Sequence, residues 1–190
     1  MRVRIVLLVV LLSIVTANIQ ATTLRTLDLP EIVQQAEIIA DVTVTHIDSY
    51  WASPGGVKAI RTKVTFALNR PALKGQVSSP FSLEFLGGTV GNRRVVVDSM
   101  PQLLIGEHLV IFSYGPDKTF VSPFIGMDQG IMRVVHDDLN SVDRVYRWWG
   151  QPVNESQSFK DKSTGTGSTT QQSANSVEEF LGRVGRIKNQ

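Results

Sequence analysis

The sequence predicts an all-β protein, an antiparallel barrel or sandwich with one helix near each end. Short segments rich in β-branched and aromatic residues alternate with Gly- and Pro-containing turns as far as residue 135. One amphipathic helical pattern precedes these segments and another follows them. A length of 190 residues and a hydrophobic fraction of 42% fit a single domain with one packed core.

The first 21 residues have the pattern of a secretory signal peptide. Arg2 and Arg4 precede an apolar run from Ile5 to Leu12, which is shorter than the about 20 residues that a membrane span needs. Cleavage after Ala17 or after Ala21 fits the small residues expected at a cleavage site. We therefore expect a periplasmic or secreted protein without stable membrane insertion after cleavage.

Charge and cysteine content exclude several function classes. The chain has 19 Lys+Arg against 17 Asp+Glu, and loss of the two leader arginines leaves 17 of each (19 − 2 = 17). A neutral chain without a basic block lacks the electrostatic footprint of a nucleic-acid-binding protein, so no nucleic acid is expected as a partner. With no Cys, disulfides, thiolate zinc sites and thiol nucleophiles are also excluded.

The first elements follow from local patterns. Residues 26–36 (TLDLPEIVQQA) predict a short helix, because Thr26 or Asp28 suits the N-cap and Pro30 suits the first turn. Residues 37–47 alternate after Asp41 and predict a strand. Residues 59–69 (AIRTKVTFALN) give the clearest half-buried strand, and the Pro-Gly-Gly turn before them puts Trp51 in a loop.

Later segments predict further short strands, for six or seven in all. The continuous apolar run from Leu109 to Tyr114 is typical of a strand buried on both faces. Gly87-Gly88 follows a strand without a helical pattern after it, which favours a turn with positive φ over a phosphate cradle. The other strands are predicted at residues 81–86, 94–98, 120–124 and 130–135.

The C-terminal part begins with a polar segment. Residues 154–173 are rich in Ser, Thr, Gly and Gln and predict a mobile loop. Ser176 and Glu179 form a capping box that opens a helix reaching about Ile187. We therefore divide the chain into a signal peptide (1–21), a β-barrel domain (22–153), a disordered polar loop (154–175) and a C-terminal helix (176–190).

Residues with catalytic or metal-binding chemistry show no recognisable motif. His46, His108 and His136 have no zinc-ligand spacing, and a site that joins one of them to Asp41 or Asp137 has no pattern to support it. The acidic run 137–143 (DDLNSVD) lacks the Gly and the distal Glu of a calcium loop and predicts a solvated turn. We expect no catalytic residue, cofactor or metal.

Aromatic residues are the main candidates for contact with a partner. Tyr146, Trp148 and Trp149 surround Arg147, and such a combination can stack on bases, sugars or an apolar group of another protein. The alternative is that this segment packs the end of the barrel beneath the C-terminal helix. Trp51 is the second candidate, with a lid over the core as its alternative.

Five short motifs follow one another along the chain: Ala36-Glu37-Ile38, Leu73-Lys74-Gly75, Gly87-Gly88, Gly106-Glu107 and Gln129-Gly130. Over about residues 24–135, their order resembles that of a family of uncharacterised secreted bacterial proteins. The same order is more distantly similar to the netrin-like domain of tissue inhibitors of metalloproteinases, a barrel of the oligonucleotide/oligosaccharide-binding (OB) type. The resemblance implies an OB-like barrel used for contact rather than chemistry. Those inhibitors chelate zinc through an N-terminal Cys, which this chain lacks, so that mechanism is not implied.

The sequence as a whole predicts an exported, non-enzymatic binding module that contacts another extracytoplasmic protein, for example a protease. One alternative is an OB-type module for a sugar or cell-envelope polymer, with Trp51, Trp148 and Trp149 as stacking platforms. The other alternative is an unrecognised hydrolase.

Overall fold

The computed structural model describes residues 25–53, 56–116, 121–153 and 174–190. The predicted signal peptide and nearly all of the predicted polar loop lie outside these residues. None of the helices in the described ranges has the length and apolar character needed to span a membrane. The helices are α1 (Leu29–Gln35) and α2 (Val177–Lys188), and the strands are β1 (Ile38–Ala52), β2 (Ala59–Leu68), β3 (Phe81–Leu86), β4 (Gly88–Val90), β5 (Arg93–Val95), β6 (His108–Ser113), β7 (Ile131–Asp137) and β8 (Val142–Arg147).

Six strands form one antiparallel sheet in the order β3-β2-β1-β6-β7-β8, and β4 and β5 form a separate hairpin. The all-β class with two flanking helices is confirmed. Closure into an OB-like barrel is wrong, because the edge strands β3 and β8 do not pair with each other. A loop segment bonds to each edge strand instead: Leu86 N donates to Val121 O beside β3, and Val145 N donates to Asn175 O beside β8. The sheet therefore stays open.

The two helices cover one face of the sheet, which we call the helix face. Both begin with the capping boxes that the sequence predicts, at Asp28 with Glu31 and at Ser176 with Glu179. On α2, Phe180 is fully buried and meets the ring of Phe112 edge to face, with the centroids 6.3 Å apart. The apolar stripe of α2 thus docks on the sheet, which supplies the helix with most of its stability.

In the longest strand, β1, the side chains that point to a given face of the sheet change from even-numbered to odd-numbered part-way along. It pairs with β2 in register until a bulge at Thr45, where Val44 faces Phe66 but His46 faces Thr65. Such an extra residue reverses the alternation beyond it. Even-numbered residues up to Val44 and odd-numbered residues from Ile47 onward therefore share one face. The strand runs to Ala52, so the prediction that Trp51 lies in a loop is wrong.

The second core lies on the opposite face, which we call the hairpin face because β4 packs over it. Phe66, Leu83 and Ile111 are almost completely buried there. β6 is buried on both faces, as its apolar run predicts. The predicted strand 120–124 is not formed within its described residues, where Phe124 makes only an isolated bridge to Ser113.

Replacement of Phe180 tests whether α2 is part of the cooperative fold. Phe180→Ala removes a buried ring from between α2 and β6, so we expect a loss of about 3–5 kcal/mol in the free energy of unfolding. Urea unfolding followed by circular dichroism measures this loss. Ile187→Ala, at a half-buried position on the same helix, serves as control with an expected cost below about 2 kcal/mol. Equal costs for both variants would contradict docking through Phe180.

Candidate functional site

A cavity of about 230 Å³ lies on the hairpin face, between the main sheet and the β4–β5 hairpin. We call it the hairpin cavity. Its floor comes from β1, β2 and β3, and its walls come from β4, β5 and the segment that follows β5. The residues that line it are Ile47, Ser49, Thr62, Val64, Phe85, Leu86, Gly87, Gly88, Thr89, Arg94, Val95, Val96, Val97, Met100, Pro101, Gln102 and Leu103.

Two glycines bring the hairpin down onto the sheet. Gly87 and Gly88 have φ values of +97° and +126°, which confirms the predicted positive φ, although Gly88 begins β4 and the turn itself follows at residues 91–92. A Cβ on Gly88 would lie 2.5 Å from Ser49 Oγ and would also collide with Thr62 Oγ1. Only glycine permits this close approach. The Gly-Gly pair thus serves to set the roof of the hairpin cavity.

The floor of the cavity carries two hydroxyl groups, those of Ser49 and Thr62, whose hydrogen-bond directions can be assigned. Thr62 Oγ1 donates to the carbonyl oxygen of Gly87 at 2.7 Å, which uses its only proton. In the 2.8 Å contact between Ser49 Oγ and Thr62 Oγ1, Ser49 is therefore the donor. The lone pairs of Ser49 remain as acceptors, so the polar floor can receive a hydrogen bond from an N–H or O–H group.

The rim of the cavity is open to solvent and carries exposed apolar side chains. Val96 lines the cavity and is 61% exposed. Leu104 and Ile105, which directly follow the lining residue Leu103, are 65% and 64% exposed. Arg94 adds one exposed cation to the lining. An exposed apolar patch beside a cavity is typical of an interaction site.

The aromatic candidates at the end of β8 are only partly accessible. Trp148 packs against the hairpin-face core, and the guanidinium carbon of Arg133 lies 3.9 Å from its ring centroid. Tyr146 is half-buried, and Arg147 is buried, which lowers the pKa of its guanidinium. Trp149 is 37% exposed and donates from Nε1 to Gln151. Trp149 is thus the most accessible ring of this segment.

Trp51 lies far from these aromatics along the sheet. It is 41% exposed, and Lys58 Nζ lies 4.7 Å from its ring centroid. Pairing through β6 and β7 puts Arg147 in register with Asp41. Asp41 lies ten residues before Trp51 on β1 (51 − 41 = 10). At about 3.3 Å per residue, the aromatic segment and Trp51 are therefore separated by roughly 33 Å along the strand. The predicted candidates therefore do not form one surface.

A polar network on the helix face surrounds the buried carboxylate of Asp41. Asp41 Oδ1 lies 2.6 Å from His108 Nε2 and accepts from Asn69 Nδ2 at 2.8 Å, and Oδ2 lies 2.7 Å from Arg70 Nε. Desolvation by burial raises the pKa of Asp41, but the hydrogen bonds from His108 and Asn69, with the charges of His108 and Arg70, outweigh it and hold the pKa below 3.8. Arg70 also reaches Glu178 at the start of α2. The network thus joins β1, β6 and α2.

His108 extends this network toward the β7–β8 turn. Its Nδ1 lies 4.0 Å from Asp143, so both ring nitrogens face carboxylates. Asp143 is 2.7 Å from His136, whose pKa it raises. Hydrogen bonds from Arg144 and Asn140 lower the pKa of Asp137 to about 2. Among the described residues, no group of three or more His, Cys, Asp or Glu side chains can hold a metal ion.

Comparisons with known proteins give no relative. No family model matches the chain, and no curated protein or solved structure matches it either. The netrin-like resemblance therefore stays a prediction.

Sequence reasoning did not identify the hairpin cavity. Its sequence signal is Gly87-Gly88, a pattern that by itself predicts a turn. The pairing of His108 with Asp41 was also not indicated by spacing, because 67 residues separate them. Both arrangements depend on strand register rather than on local motifs.

The acid stability of the protein tests the Asp41 network. Because the pKa of Asp41 is lower in the folded than in the unfolded state, its contribution to stability is present above about pH 4 and is lost as the pH falls through the folded pKa. We expect Asp41→Asn to be less stable than the wild type at neutral pH and to lose less stability on acidification. Both effects are measured by urea unfolding from about pH 2 to about pH 7, because carboxyl groups titrate within this range. If the difference in the free energy of unfolding between the wild type and Asp41→Asn did not change with pH, the assignment of a lowered pKa to Asp41 would be contradicted.

The roof of the hairpin cavity is tested by substitution of its glycine. Gly88→Ala should cost about 2–4 kcal/mol in the free energy of unfolding, because the methyl group meets Ser49 and Thr62 at a strained φ. Gly91→Ala is the control: its φ is also positive, at +59°, but its Cβ would face open space, so we expect a cost of about 1–2 kcal/mol. Thermal and urea unfolding compare the two variants. Equal costs would show that the hairpin does not press on the sheet.

Proposed function

We propose that this chain is an exported, non-enzymatic binding module that contacts another extracytoplasmic protein through the hairpin cavity. The observation that carries the proposal is an open cavity with an exposed apolar rim. The partner inserts an apolar side chain beneath the hairpin, while the rim residues exclude water around it. This is the usual arrangement of a binding hot spot.

The size of the cavity supports a side chain as its occupant. About 230 Å³ exceeds the roughly 150 Å³ that binds a benzene molecule. It is below the roughly 300–1,000 Å³ typical of small-molecule sites. A single large aromatic side chain such as Phe or Trp fits within this volume. The acceptor at Ser49 can bind an indole or hydroxyl proton of such a side chain.

The rim supports a protein rather than a free small molecule as the partner. Val96, Leu104 and Ile105 are more than half exposed and would remain in water if only the cavity were filled. A protein surface covers cavity and rim together, which removes this apolar area from solvent. A protease is the first class of partner to test, in line with the resemblance to the netrin-like inhibitors.

The geometry of the tryptophans gives less support to a glycan platform. A cation occupies one ring face of Trp51 and one of Trp148, from Lys58 and Arg133 respectively. Sugar rings stack on open, aligned aromatic faces, and these two indoles are separated by most of the length of β1. A polymer would have to span both ends of the sheet.

Capture from an extracytoplasmic extract, followed by titration calorimetry with the retained protein after purification, tests the proposed function. We expect Val96→Asp and Leu104→Asp to weaken binding at least about tenfold, because each puts a charge into the apolar contact. If the retained protein is a protease, its activity is measured with and without the module.

Leu139→Asp is the matched control, since Leu139 is 96% exposed in the β7–β8 turn and lies outside the cavity lining. It should bind like the wild type. The Trp148→Ala/Trp149→Ala variant tests the aromatic segment in the same assay. Loss of binding in this variant alone would move the site there, and retention of polysaccharide but no protein would favour the glycan alternative.

A further inference from the structure

The outer part of β1 has a free edge. On one side, β1 pairs with β2 along its whole outer part, from His46 to Ala52. On the other side, β6 pairs only as far as Thr43, and the residues before β6 add two bonds at Val44. Among the described residues, no strand lies beside residues 46–52 on that side. We call this stretch the β1 edge.

The backbone groups that face the β1 edge follow from the bonding of β2. Ile60 O accepts from Gly87 N on the β3 side, and successive residues of a strand bond to opposite sides. Ile60, Thr62 and Val64 therefore do not bond to β1. Their partners on β1 are Trp51, Ser49 and Ile47, which direct their N–H and C=O groups to the β1 edge.

The β1 edge lacks two of the residues that usually protect an edge against strand addition. Residues 46–52 read HIDSYWA, with neither Pro nor Lys, the residues that natural edge strands use to prevent pairing. No backbone hydrogen bond within the described residues uses the outward groups of Ile47, Ser49 or Trp51. Such an edge is a ready template for another extended strand.

We propose that the β1 edge pairs antiparallel with the β1 edge of a second copy of this chain, about a two-fold axis at Ser49. In this register Ser49 faces Ser49, and Ile47 of each copy faces Trp51 of the other. All of these residues direct their backbone groups outward, so each pair is a hydrogen-bonded pair. Since each such pair exchanges two bonds, the interface gains about six backbone hydrogen bonds.

The side chains in this register are complementary to themselves. On the hairpin face, two symmetric contacts form between Ile47 and Trp51, an apolar and an aromatic side chain. On the helix face, Asp48 of each copy lies opposite Tyr50 of the other. No charged residue faces its own kind, and the uncharged Ser49 occupies the axis.

The charge of the chain favours a second copy as the occupant. The formal net charge is +2, and it is zero without the two arginines of the predicted leader. Two nearly neutral copies do not repel each other, and low net charge promotes self-association.

A symmetric disulfide gives the most direct test of this proposal. The chain has no Cys, so Ser49→Cys introduces a single thiol in each copy. Facing residues of a hydrogen-bonded pair lie about 5.5 Å apart at Cα, within the range for a disulfide. We expect mild oxidation of the full chain to give a covalent dimer on non-reducing gels.

Asp48→Cys is the matched control, because residue 48 is more exposed than Ser49 but faces residue 50 of the other copy. Its two thiols lie on a diagonal of about 7–8 Å between Cα atoms, which is too long for an unstrained disulfide. If cross-linking came from random collisions, the more exposed thiol of Asp48→Cys would form a covalent dimer at least as fast as that of Ser49→Cys. Equal cross-linking of both variants, or none of Ser49→Cys while it stays folded, would overturn the proposal.

Charge substitutions at Tyr50 test the register without any covalent bond. Tyr50→Lys puts a cation opposite Asp48 of the other copy, and Tyr50→Asp puts a second carboxylate there. Relative to Tyr50→Asn, we expect the dimer dissociation constant to fall for Lys and to rise for Asp, each by roughly three- to tenfold over the two symmetric contacts.

Sedimentation equilibrium gives these constants, and thermal unfolding checks that each variant is folded. A wild-type chain that stays monomeric at every concentration would overturn the proposal and leave the β1 edge to a strand of another protein. If the dimer dissociation constant were the same for Tyr50→Lys, Tyr50→Asn and Tyr50→Asp, the contact between the copies would lie elsewhere. These residues differ from those that test the hairpin cavity, so either proposal can fail alone.

Discussion

The bulge at Thr45 is the constraint on which the outer half of the structure depends. One extra residue in β1 reverses which side chains face the hairpin. Without it, His46 and Asp48 would point into the hairpin-face core, and Ile47 would point away from it. With it, Ile47 and Ser49 form part of the floor of the hairpin cavity, and Trp51 extends the same face to the end of the strand.

The bulge reverses the direction of the backbone groups as well. Before it, Val44 bonds toward β6, with Gly106 donating to its carbonyl oxygen. After it, Ile47 and Ser49 carry the outward N–H and C=O groups. One local irregularity therefore decides both which side chains form the cavity floor and which residues present their backbone groups at the β1 edge.

The inner half of the sheet is organised around a different feature, the buried carboxylate of Asp41. Burial of an unpaired charge is costly in free energy. Here the charge of Arg70 and the hydrogen-bonding groups of Asn69 and His108 offset the cost of burying the carboxylate. Because these partners come from the end of β2 and from β6, the carboxylate holds three strands in one register. Arg70 carries the connection on to α2. The inner half is thus closed by helices and polar contacts, whereas the outer half is left with a cavity and an edge.

Local patterns in the sequence were sufficient for the class, the capping boxes and most strands. Ser176 with Glu179 and the alternation in residues 59–69 are decided by neighbours within a few residues, as is the positive φ of Gly87-Gly88. Sheet closure was predicted wrongly, because it depends on whether β3 and β8 meet, and loops occupy their edges instead. The end of β1 was also missed, since the strand continues through Trp51 only because β2 pairs with it.

The sequence by itself thus determined an all-β chain with two capped helices and a pair of glycines with positive φ, because these features depend on short-range sterics and hydrogen bonding. Only the tertiary structure decided the hairpin cavity, the Asp41 network and the free β1 edge. Each of these depends on strand register, and register is set by contacts between residues far apart in the chain.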